Sequence, residues 1–133
     1  MSGISQFLES YRATWEAVIR GSEQVAALSS FFDAKCFMLA VDGTVKSVQS
    51  NAEIDAFNEG RLISFREGQV DQCTFRGIDT ISQGPHATLA IVNWELKCAD
   101  GSLERAWRHY YTIAHTKKAP RILVSAFQTG AGL

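Results

Sequence analysis

His109, Arg105, Trp107 and Tyr111 stand at spacings of two and four. In a β-strand, side chains alternate between faces, so these four would share one side. An imidazole titrates near neutrality and can act as general base or acid when neighbours tune it. The structural alternative is a histidine that hydrogen-bonds a neighbour and only shapes a pocket, and no Asp or Ser partner stands at an evident spacing. An Arg on the same face would favour a carboxylate- or phosphate-bearing ligand. Its alternative is a residue near the turn that reaches solvent along its stem. Tyr11 and Trp15 are one helical turn apart. There they could close a pocket mouth, the Tyr hydroxyl orienting a carbonyl, or simply pack helix on sheet.

The elements that position these residues follow from periodicity. Phe7, Leu8, Tyr11, Trp15, Val18 and Ile19 mark one face of a first helix, with Glu9, Arg12 and Glu16 opposite and Gly21 ending it. Val25 to Phe32 suggests a short second helix, with Ser22 as its cap. Cys36 to Val41, Asp42-Gly43, then Thr44 to Val48 predict a hairpin with a tight turn. Ser50 and Glu53 form a capping box for a third helix, whose apolar side carries Ile54, Phe57, Leu62 and Phe65 and which ends near Gly68. Four strands follow: Val70 to Ser82, interrupted near Gly77; His86 to Cys98; Leu103 to His115; and Arg121 to Gln128. In the second of these, Thr88, Ala90, Val92, Trp94 and Leu96 share one face, and Leu89, Ile91, Asn93, Glu95 and Lys97 the other. Strands joined by short loops pair antiparallel, so the expected class is α+β, with helices packed on one curved sheet. For the last strand, Ser125 and Phe127, or else Val124, Ala126 and Gln128, would point inward. The tail Gly130 to Leu133 is expected to fray.

Composition narrows the function. The 133 residues predict one domain, with an ordered core over about 5–128. A net charge of −1 lacks the basic excess of a nucleic-acid binder. No apolar run approaches the ~20 residues that span a bilayer, and no signal peptide is evident, so a cytoplasmic location is the default. Cys36, Cys73 and Cys98 read as buried thiols rather than a disulfide framework. His86, His109 and His115 are too scattered to imply a metal, and no fingerprint for a nucleotide or dinucleotide cofactor is present. Arg108 and Glu95 could pair across strands, and Lys117 and Lys118 read as solvated. Three Trp, three Tyr and eight Phe are many for a core this small.

The element order resembles the nuclear transport factor 2-like superfamily, a cone of curved sheet closed by three helices. Its members include ketosteroid isomerase, scytalone dehydratase, limonene epoxide hydrolase and the SnoaL-like polyketide cyclases. The resemblance rests on the helix ending at Gly21, Phe31-Phe32-Asp33-Ala34, Ser50 to Phe57, Trp94-Glu95-Leu96, Asp100-Gly101-Ser102, Trp107 to Tyr111 and Arg121 to Ser125. The last four look like a bacterial subgroup with no assigned reaction. It covers roughly residues 5 to 128. It implies that the face bearing Trp94, Trp107, His109 and Tyr111 lines the cone and that the outer face makes a homodimer. It also implies that steroid isomerisation is disfavoured: Cys36 to Ala40 hold no carboxylate, and Thr14 and His109 stand where that enzyme has Tyr and Asp.

The expected function is therefore binding of a small, apolar or weakly acidic organic ligand. Tyr11, Trp15, Trp94, Arg105, Trp107 and Tyr111 would line its pocket. One alternative is an isomerase, cyclase or dehydratase with His109 as acid/base; another is a non-catalytic dimeric association domain.

Overall fold

The computed structural model describes residues 3–128; the tail Gly130 to Leu133 lies outside them. Helix α1 spans Gly3–Ile19 and buries Ile4, Leu8, Tyr11, Trp15, Val18 and Ile19. These residues form one stripe at helical spacing. Its outer face carries an Arg12–Glu9 pair at 2.6 Å. Helix α2 is only Ala26–Ser29. Ser22 does not cap it; the hydroxyl donates instead to Ala17 O at 3.2 Å and helps finish α1.

Strand β1 (Phe32–Leu39) starts four residues before the expected apolar run, and β2 (Val45–Val48) returns from it. The extra length is a bulge at residues 33–36, within which Asp33 Oδ1 accepts from Lys35 N at 2.9 Å. The turn between the strands uses Gly43 at φ +88°, a backbone shape that penalises any Cβ. Helix α3 (Asn51–Glu67) is capped by Ser50, which accepts from Glu53 N, while Glu53 reaches back to Gln49 N.

Strands β3 (Val70–Ser82), β4 (Ala87–Cys98), β5 (Leu103–His115) and β6 (Pro120–Phe127) complete the sheet. The spatial order is β2-β1-β6-β5-β4-β3. All pairs are antiparallel except β1 with β6, which run parallel. β3 bulges between Phe75 and Gly77, where the sequence suggested an interruption. β3 is an edge strand, and α1 occupies part of its open side. Arg12 donates to Cys73 O at 2.9 Å, and Cys73 N donates to Glu16 at 3.0 Å. Polar groups of α1 thus satisfy backbone that a lone edge would leave unpaired.

The result is an α+β cone, with the helices held on the concave side of a curved sheet. Its core joins all three helices to the sheet through residues such as Leu8, Leu28, Ile54, Val92 and Ile113, each with no exposed surface. Cys36 and Cys73 are buried free thiols, and burial pushes them up to about 11 and about 12. Cys98 is only half-buried, with its thiol near Gly68 O. No described helix is long and apolar enough to cross a membrane.

Candidate ligand pocket

The inward face is set by the period of two along β4 and β5. Ala90, Val92, Trp94 and Leu96 are buried while their alternates are less so. Register then places Trp94 opposite Trp107, Val92 opposite His109 and Ala90 opposite Tyr111. On β6, Ser125 opposes Tyr111 and Phe127 opposes His109, which decides which side of the last strand faces in.

These side chains form two hydrogen-bonded sets joined by ring stacking. Trp94 Nε1 donates to the Tyr111 hydroxyl at 2.9 Å. Trp107 Nε1 donates to His109 Nδ1 at 3.0 Å. An indole N–H can only donate, so Nδ1 is the acceptor and the imidazole proton sits on Nε2. Nε2 lies 2.7 Å from Ser125 Oγ and therefore donates to it. The imidazole stacks on Tyr111 with centroids 4.5 Å apart. Burial, with the nearby Arg61 charge, holds the His109 pKa well below its ordinary value, so the ring is neutral. Burial raises the Tyr111 hydroxyl well above its usual range. As acid or base, His109 would first have to release Trp107 or Ser125.

Opposite the sheet stands α3. Phe57, Arg61 and Phe65 recur every four residues and so project from one side of the helix. The Arg61 guanidinium carbon lies 4.4 Å from the Phe57 ring centroid and 4.9 Å from that of Phe127. Arg61 Nε and Nη2 are shut away from solvent with no hydrogen-bond partner, and so is the Tyr11 hydroxyl. Tyr11 meets Phe31, Phe32, Trp94 and Tyr111 edge to face. Burial raises its pKa, against the pull of the Arg61 charge.

Between the two walls is a cavity of about 20 Å³, lined by Tyr11, Trp15, Arg61, Trp94, His109 and Tyr111 among others. That is room for one or two water-sized atoms. Outside it opens a larger apolar groove of about 480 Å³ at the mouth of the cone, between Phe57, Gly60, Phe65, Arg105, Trp107 and Phe127. Arg61, Phe65, Trp107 and Phe127 border both spaces.

The candidate residues thus separate into two groups. Tyr11, Trp15, Trp94, Trp107, His109 and Tyr111 come together around the inner cavity. Arg105 stands on the rim. It donates to Ser64 Oγ at 3.3 Å, lies 3.2 Å from Glu104 and covers Phe65. Arg61 was not singled out from the sequence, although its spacing between Phe57 and Phe65 was the available signal. The Arg108–Glu95 pair does not form. Arg108 donates to Asn93 Oδ1 at 3.3 Å, and Glu95 lies 4.0 Å from Arg76, because β4 register sets Asn93 rather than Glu95 beside Arg108. His115 lies 2.8 Å from Thr88 Oγ1, and His86 is exposed.

Helices held within a curved sheet around an inward aromatic cluster define a nuclear transport factor 2-like protein. Residues 2–130 match the family described as NTF2-like protein (DUF6841), and the chain belongs to that family. No curated protein matches it in sequence. Among solved structures, an NTF2-like protein with a cystatin-like fold from Novosphingobium aromaticivorans is 15% identical. It aligns with a TM-score of 0.73 over 98% of this chain and 82% of its own. A ketosteroid isomerase-like protein from Erwinia carotovora atroseptica is 9% identical, with a TM-score of 0.67 over 98% and 95%. The yeast UBP3-associated protein BRE5 is 13% identical, with a TM-score of 0.68 over 96% and 95%. Such different proteins are about equally similar, so the likeness carries the fold and no reaction.

Proposed function

We propose that this protein binds a small, mostly apolar organic molecule at the mouth of the cone, its polar end directed into the inner cavity. The observation that carries this reading is the adjacency of the two spaces, which share Arg61, Phe65, Trp107 and Phe127 as lining. An open apolar groove of about 480 Å³ lies beside a small aromatic-lined cavity whose walls include unpartnered polar groups. Pockets for small ligands have this composition: mostly apolar walls with a few placed polar groups. Binding accounts for His109 better than acid–base chemistry does, because both ring nitrogens are engaged and the ring is held neutral.

The test is tryptophan fluorescence of the purified protein titrated with a panel of aromatic acids, amides and ketones. Trp107 borders both spaces and reports on either. Gly60 borders the groove, and a Cβ there would meet nothing within 4 Å, so Gly60→Phe is the variant chosen to block the groove. A saturable change in the wild type, weakened about tenfold or more in Gly60→Phe, is the expected result. No saturable response to any member of the panel would overturn the reading. Turnover that His109→Gln abolishes, with binding intact, would replace it with the acid/base alternative.

We further propose that the chain forms a homodimer through the outer face of the sheet. Ile91, Tyr110 and Ala126 lie in one row across β4, β5 and β6, each half-buried in the single chain. Light scattering should give twice the chain mass, and Ile91→Glu should give a monomer. A stable wild-type monomer would refute the dimer.

A further inference from the structure

We infer that Arg61 is the anion-recognition residue of this pocket and that the ligand is a small carboxylate, its two oxygens seated on Arg61 Nε and Nη2. This rests on the proposed binding function and narrows it to a ligand class. Three observations lead here.

The first is that the cation has no counter-charge. No carboxylate among the described residues lies within ion-pair distance of Arg61, although other arginines of the chain do find one. Arg61 is half-buried, with Nε and Nη2 shut away from solvent, and desolvating part of a charge without a partner is costly. Phe57 and Phe127 answer the charge partly, by cation–π contact. Their rings offer no lone pair in the position a N–H group needs.

The second is which nitrogens are free. Nε and Nη2 are the two that are shut away from solvent without a partner. They lie on the same edge of the guanidinium, and their N–H bonds run side by side. That edge matches a carboxylate, which accepts two parallel hydrogen bonds. A single neutral carbonyl would use one of the two and leave the other unsatisfied.

The third is space and surroundings. The inner cavity of about 20 Å³ has room for one or two atoms, so it could take the oxygens of a flat carboxylate whose carbon stays toward the groove, and a tetrahedral phosphate with four oxygens is bulkier. Tyr11 lines the same void, with its hydroxyl close enough to Arg61 for each group to perturb the other. His109 cannot compete as a counter-ion, being neutral and bonded at both nitrogens. The apolar body of such a ligand would lie in the mouth groove against Phe57, Phe65, Trp107 and Phe127.

The experiment compares acids with neutral isosteres on the full chain at neutral pH. Phenylacetate and 1-naphthylacetate are titrated beside their primary amides, with phenyl phosphate as the third arm, by calorimetry and tryptophan fluorescence. The expected result is that each acid binds at least about tenfold more tightly than its amide and more tightly than phenyl phosphate. Arg61→Gln should remove that preference, lowering acid affinity about tenfold or more and leaving amide affinity within about threefold. Arg61→Lys, which keeps the charge and loses the paired edge, should fall between. Equal binding of acid and amide by the wild type overturns the carboxylate assignment and leaves the binding function standing. So does acid affinity unchanged by Arg61→Gln, or preference for the phosphate. Failure of every probe overturns both. The wild-type acid-to-amide ratio decides the question even if neither variant folds.

Discussion

On the sheet side of the pocket, Trp94, Trp107, His109, Tyr111 and Ser125 interlock so that each side-chain polar atom has a partner. On the helix side, the Tyr11 hydroxyl of α1 and Nε and Nη2 of Arg61 on α3 have none, and elsewhere on α3 Asp55 Oδ1 and both amide atoms of Asn58 also have none. All the unpartnered buried side-chain polar atoms among the described residues therefore belong to the helices. A satisfied network fixes geometry and contributes to stability. An unsatisfied one costs stability in the free protein and is repaid when something binds. Under the proposed function the difference gives architecture to the sheet wall and recognition to the helix wall, and it can be broken experimentally.

The largest expected effect is on the sheet wall. Trp94 is 3% exposed and contacts Tyr11, Phe75 and Trp107, so Trp94→Ala should cost about 3–5 kcal/mol in chemical denaturation. Ser125→Ala leaves the His109 Nε2–H buried without its acceptor and should cost about 1–3 kcal/mol. The helix wall should behave in the opposite way. Arg61→Met removes a half-buried cation that no carboxylate among the described residues compensates, so stability should hold or rise by up to about 2 kcal/mol while acid binding is lost. A clear loss of stability in Arg61→Met would show that the two walls are not different in kind.

The next prediction concerns pH. His109 is neutral in the fold because its pKa is depressed below 6.5. The unfolded chain takes up a proton below that value and the folded chain does not. Stability should therefore be level above about pH 6.5 and fall as pH drops below it, by at most about 1.4 kcal/mol per pH unit from this group. Melting curves across that range should show the slope in the wild type. It should be absent in His109→Gln and should level off at a higher pH in Arg61→Met, since the Arg61 charge contributes to the depression. The smallest effect is expected at Gly60, inside α3. Gly60→Ala should gain about 0.5–1 kcal/mol in the same melts by restoring helix propensity.

Much of the sheet wall was legible in the sequence. Alternation placed Trp94 with Val92 and Leu96, and Trp107 with His109 and Tyr111, because side-chain parity in a strand is a local property of the backbone. The Asp-Gly turns and the Ser50–Glu53 cap were readable for the same reason. The partner of His109 was not. Ser125 lies 16 residues away, and its orientation depends on an irregularity in the β5–β6 register between Thr112 and Ile113. Because of it, Ile122 and Ser125 are both buried although simple alternation would set them on opposite faces. The helix wall was least legible. Arg61 lies on a helix whose apolar positions were recognised, but a cation there reads as solvent-facing unless the sheet opposite is known.

The sequence by itself determined the elements, the two faces of β4 and β5, and the excess of aromatic side chains that needed enclosing. These depend on dihedral preferences and periodicities that act over a few residues. The tertiary structure alone decided that β1 lies parallel to β6, that β6 turns Ser125 inward and that α3 brings Arg61 over the aromatic cluster. Those choices depend on sheet curvature and on packing between segments far apart in the chain, where no local preference reaches. A charge on the surface and a charge enclosed among aromatic rings look alike in sequence; only the walls around Arg61 distinguish them.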